Sequence, residues 1–91
     1  MKKIDSIQVL TLGTDAQTVR VSGLACLVQN NSKTASVYCK ERRDDGVDAA
    51  ADNGWQLAPG ERTTIPLTAL ELSLVASAAG TDVRVLLLDE G

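Results

Sequence analysis

The chain contains no histidine and no phenylalanine, and Tyr38 and Trp55 are its only aromatic side chains. Without histidine, Ser-His-Asp and Cys-His catalytic arrangements cannot be built. The commonest general base and a main metal ligand are missing with it. Cys26 and Cys39 lie thirteen residues apart, with no CxxC spacing and no further cysteine to complete a zinc site. No P-loop and no GxGxxG pattern occurs. Acidic residues fall mainly in turns and loops, where solvation is their ordinary role. The acidic loop lacks the D-x-[DN]-x-[DN]-G spacing of a calcium site. The expectation is a protein with no catalytic residue, no cofactor and no metal.

Other functions are excluded by charge and by run length. The net charge is −3, and the one basic run, Lys40 to Arg43, is followed at once by Asp44 and Asp45. Binding of phosphate backbones needs clustered cations that this chain lacks, so no nucleic-acid partner is expected. The start, MKKI, has the charge of a signal peptide, but Asp5, Ser6 and Gln8 interrupt any apolar stretch after it. No run reaches membrane-spanning length. The chain is expected in the cytoplasm unless a larger assembly carries it out.

What remains is small and aliphatic. A single domain of 91 residues buries roughly 63% of its extended surface. The core must come from Val, Leu, Ile and Ala, which bury less area than large rings. So thin a core makes self-association an expected second source of burial.

Alternation of period two dominates the chain and indicates strands. A first short strand is expected near Ile7 to Leu12. Thr18 to Gln29 reads as one long strand whose inward parity switches at Ser22-Gly23, where a strand can pass from one sheet to another. The turn residues Asn30 to Thr34 separate it from a strand over Ala35 to Arg42. A hairpin centred between Ser32 and Lys33 would set Val28 opposite Val37 and Cys26 opposite Cys39 on one face. The cysteines would then be buried free thiols in the cell, or a redox pair oxidised after release.

Arg42 to Gly54 has no core periodicity and reads as a solvated loop or contact surface. Trp55 shares parity with Leu57. It reads as a core or rim plug, with ligand stacking and subunit contact as the alternatives. Ala58 to Glu61, APGE, is a type II turn signal. Pro66 marks an edge strand or the end of one. Ala69 to Gly80 alternates Leu70, Leu72, Leu74 and Ala76 with Glu71, Ser73, Val75 and Ser77, so a strand is expected despite good helix propensity. In the last strand Val83, Val85 and Leu87 point inward, while Leu86 and Leu88 leave the outer face apolar and in want of cover. The fold class expected is all-β: a small antiparallel β-sandwich or jelly-roll-like barrel of six to seven short strands. Residues 1–17 form an N-terminal strand or arm, and 18–91 the sandwich.

From Val19 onward, LVQNNSKTASVY, GWQLAPGE and above all SLVASAAGTDVRVLLLDE resemble a loose group of small β-rich virion proteins of tailed bacteriophages. The group includes capsid decoration or cement proteins, head fibres and tail appendages. The resemblance implies no catalytic residue. It implies a non-enzymatic virion protein made in the host bacterial cytoplasm and placed on the capsid surface. There it binds the major capsid protein and stabilises the head at subunit joints, often as a homotrimer. The alternative is a tail- or fibre-associated module recognising host glycan or another virion protein, with Trp55 and the loop from Arg42 to Gly54 as its surface. Contacts to the capsid or a sister subunit are expected at Lys2, Lys3, Ile4 and Ile7 of the N-terminal segment, and at Trp55, Leu86 and Leu88. No membrane partner is expected.

Overall fold

The structure is a computed structural model that describes residues 2–21, 25–43, 46–66 and 71–90, with side chains described for 7–21, 25–43, 46–66 and 71–87. Eight strands run in chain order: β1 (Lys2–Leu12), β2 (Gln17–Arg20), β3 (Ala25–Asn30), β4 (Val37–Arg42), β5 (Trp55–Leu57), β6 (Arg62–Pro66), β7 (Glu71–Ala76) and β8 (Thr81–Glu90). They form two four-stranded antiparallel sheets, ordered β1-β8-β3-β6 and β2-β7-β4-β5. The first strand pairs with the eighth, the second with the seventh, the third with the sixth and the fourth with the fifth. Four nested pairs wrapped into two sheets are the connectivity of a jelly roll. The all-β sandwich anticipated from alternation is therefore present, with eight strands where six or seven were expected. The extra strand arises because the stretch from Thr18 to Gln29 divides: β2 lies in one sheet and β3 in the other.

That division follows the change of parity. Val19 and Val21 are buried before it, and Cys26 and Val28 after it. The expected pivot, Ser22-Gly23 with Leu24, lies outside the described residues. The inward sets read from the sequence recur throughout: Val37 and Cys39 from β4, Leu72, Leu74 and Ala76 from β7, and Val83, Val85 and Leu87 from β8 form one core. The stretch after Ala69 enters that core as strand β7. Its first two residues, Ala69 and Leu70, lie outside the described residues. The segment before residue 18 supplies β1, which pairs with β8 from Lys2↔Glu90 to Leu12↔Thr81 across one register shift between Ile4 and Ser6.

The expected hairpin between β3 and β4 does not form. β3 pairs with β6 and β8, whereas β4 pairs with β5 and β7 in the opposite sheet. The turn is a crossover that carries the chain over the core. Cys26 and Cys39 therefore meet as inward residues of facing sheets, not as cross-strand neighbours. Alternation fixes which face a residue takes, and both arrangements satisfy it equally.

The segment between β4 and β5 differs from a solvated loop. Ala49 is buried, and its N–H donates to Ser73 Oγ at 2.9 Å. Asn53 ties the segment to itself, accepting from Ala50 N and donating to Asp48 O. Arg42 on β4 reaches Asp48 at 3.1 Å and Glu71 at 3.2 Å. The segment thus covers the outer face of β7, where Ser73 and Val75 are buried although they point away from the core.

The turn from Ala58 to Glu61 forms as its residues dictate. Glu61 N donates to Ala58 O at 2.9 Å, and Gly60 sits at φ 82°. A Cβ on Gly60 would meet nothing within 4 Å. Gly60→Ala therefore isolates the backbone cost of left-handed φ. We expect a loss of about 1 kcal/mol in urea unfolding, and an unchanged midpoint would show that the turn relaxes into another type.

Candidate functional site

The two sheets end together on one side of the sandwich, with β5 the last strand of one and β6 the last of the other. Trp55 pairs with Cys39, so both point to the inner side of their sheet, as do Leu57 and Val37 two pairs further along. Leu57 is 2% exposed, whereas Trp55 is 66% exposed. The reading of Trp55 as a core or rim plug is thus corrected. Its parity is inward, but at this end the inner surface opens to solvent. A groove of about 410 Å³ remains there, with Cys39, Glu41, Arg43 and Trp55 on one wall and Thr63 to Pro66 on the other.

Electrostatics at the groove are uneven. The Arg43 side chain is 61% exposed and meets Glu41 at 3.0 Å, while the Glu41 side chain is only 12% exposed. Lys40 Nζ donates to Val47 O at 3.2 Å. At the base, burial pushes the Cys39 thiol up to about 12, with Cys26 adding to the effect. Burial, followed by the Glu41 carboxylate, pushes Cys26 up to about 11. Both are free buried thiols. At neutral pH such groups are protonated and poor nucleophiles. Among the described residues, no three His, Cys, Asp or Glu side chains are grouped to hold a metal.

The remaining residues singled out in the sequence lie elsewhere, on the β1-β8-β3-β6 sheet. Ile7 pairs with Leu86, and Leu86 with Leu27, so the three form one row on the outer face. Ile7 and its neighbour Val9 are each 62% exposed, and Leu86 and Leu27 are half-buried. The side chains of Lys2, Lys3, Ile4 and Leu88 lie outside the described residues, although the register pairs Ile4 with Leu88. The structure brings Ile7 and Leu86 together and sets Trp55 apart, at the sandwich edge. Sequence reasoning missed Val9, Glu41 and the Thr63 to Pro66 wall. Val9 was legible from its alternation with Ile7, but the wall is recognisable only once β6 is seen to end a sheet.

No protein-family model, curated protein or solved structure matches this chain.

Proposed function

We propose that this chain is a non-enzymatic structural virion protein of a tailed bacteriophage. Its role is capsid decoration: it binds the assembled head through the major capsid protein, as a homotrimer, and stabilises subunit joints. The observation that carries this reading is the exposed apolar row on the outer face of β1 and β8. Ile7 and Val9 stand 62% exposed beside half-buried Leu86 and Leu27. Adjacent apolar side chains on the outer face of a hydrogen-bonded sheet suit a contact that requires shape and burial but no chemistry. The jelly roll is compatible with a virion role without specifying one.

The test is binding to expanded heads of the parent phage. β1 pairs along its length with β8, so removing the strand would uncover β8 and damage the sandwich; point variants are the proper instrument. Ile7→Asp with Val9→Asp removes two apolar contacts of about 1.5 kcal/mol or more each. Binding is expected to weaken by about a hundredfold, with the far-ultraviolet circular dichroism unchanged. Undiminished binding by the double variant would overturn the assigned surface. Failure of the unaltered protein to bind heads, or a monomer by light scattering, would overturn the reading itself.

A second reading is favoured by the exposure of Trp55: a tail- or fibre-associated module whose recognition surface is that end of the sandwich. A glycan array separates the two.

A further inference from the structure

The edge groove suits a ligand different from either the capsid face or a glycan. Its side-chain polar groups are largely engaged within the fold. Asn53 bonds Ala50 N and Asp48 O, Lys40 bonds Val47 O, and Glu41 and Arg43 pair with each other. Sugar recognition depends on such groups converging on the ligand. What the groove offers instead is main chain. Asn30 N donates to Glu61 O at 2.8 Å, and this bond sets the alternation of the antiparallel ladder. Thr63 and Ile65 then turn their backbone groups toward β3, while Arg62, Thr64 and Pro66 turn theirs to the open edge. The position of Pro66 agrees, since its missing N–H falls where β3 needs no donor. Among the described residues, no strand pairs with that edge.

We propose that the groove between β5 and β6 binds an extended acidic polypeptide segment by adding it as a fifth strand beside β6. The N–H of Thr64 and the carbonyls of Arg62 and Thr64 hold its backbone. Alternate side chains of the added strand point inward and cover the Trp55 ring and Ile65, which already packs against the core. Acidic residues on the segment meet Arg43, the exposed cation among the described lining residues, in addition to its Glu41 partner, and Arg62 on the neighbouring outer face. The Glu41 carboxylate already pairs with Arg43, but Lys40 and Arg43 together outnumber it, so the charged side chains of the described lining carry a net charge of +1. This inference does not rest on the capsid reading, which uses another face.

Trp55 is the sole tryptophan, so its fluorescence reports occupancy directly. The full chain is titrated with a blocked heptapeptide alternating Asp with Val and Leu, with its Lys counterpart, with the acidic peptide N-methylated at alternate amides, and with oligogalacturonate. The acidic peptide is expected to blue-shift Trp55 emission saturably, and both altered peptides to bind about tenfold or more weakly. Thr64→Pro removes an edge donor that β3 does not use. It should weaken the acidic peptide similarly while leaving the circular dichroism spectrum intact. No response to the acidic peptide overturns the proposal. Equal binding of the N-methylated peptide, or a response to the oligosaccharide alone, overturns it in favour of surface stacking or a glycan site.

Discussion

Asn30→Asp is expected to destabilise the protein by at least about 3 kcal/mol, lowering the melting temperature by some 12 °C or more. Asn30 is fully buried at the end of β3. Its Nδ2 donates to Ala35 O at 2.8 Å and to Leu57 O and Ala58 O at 3.1 Å, while its Oδ1 accepts from Ser32 N at 3.0 Å. One amide thus joins the crossover between the sheets to the start of the β5–β6 turn. An aspartate keeps only the acceptor role. The buried carbonyls of Ala35 and Leu57 lose this donor and face a negative charge in its place, while Ala58 O keeps only its bond from Glu61 N. Each orphaned group costs about 1–3 kcal/mol, against a total of roughly 5–13 kcal/mol for a chain of this size. Asn31→Ala is the control. Asn31 is exposed and makes one side-chain bond, to Asp82, so its loss should stay within about 1 kcal/mol. A melting temperature for Asn30→Asp within a few degrees of the unaltered protein would show that the three contacts contribute little.

The buried thiols produce the second large effect, a loss of stability in alkali. In the unfolded chain both cysteines ionise near their ordinary value of 9.0; in the folded chain they hold their protons to about 11 and about 12. Below pH 9 both states carry the protons and the thiols have no influence on pH dependence. From pH 9 to about 11 the unfolded state has released protons that the native state keeps. Stability then falls by about 1.4 kcal/mol per pH unit for each thiol. Urea midpoints measured from pH 7 to 10.5 should drop steeply above 9. The drop should shrink in a Cys26→Ala, Cys39→Ala variant, although that variant starts lower because it loses packing. Parallel curves for the two proteins would refute the assignment. The same burial predicts that thiol reagents modify the native protein only as fast as it opens.

Much of this architecture was legible locally. Strict alternation after Ala69 overrode helix propensity, since a helix would have spread Leu72, Leu74 and Ala76 around its axis. The change of parity after Val21 marked where the chain leaves one sheet for the other. Pro59-Gly60 specified its turn through φ alone. Each of these signals depends on neighbours a few residues apart.

The candidate site was far less legible, because its residues acquire their roles from strands distant in sequence. Trp55 carries an inward parity, yet its exposure depends on β5 ending one sheet directly beside the end of the other. Asn30 has the composition of a turn residue, and its three carbonyl partners include two from beyond Gly54. The acidic segment after β4 has no periodicity to betray that Ala49 and Asp48 cover β7.

Alternation and turn chemistry alone established that this chain is all-β, which residues face inward, and where it bends. Pairing partners were settled only by long-range packing: β3 joins β6 and β8 instead of β4, and the groove at Trp55 exists for that reason. The physical cause is that a period of two constrains the face of a strand but not its neighbour. Hairpin and crossover bury the same side chains, and the choice between them depends on how all eight strands close around one core.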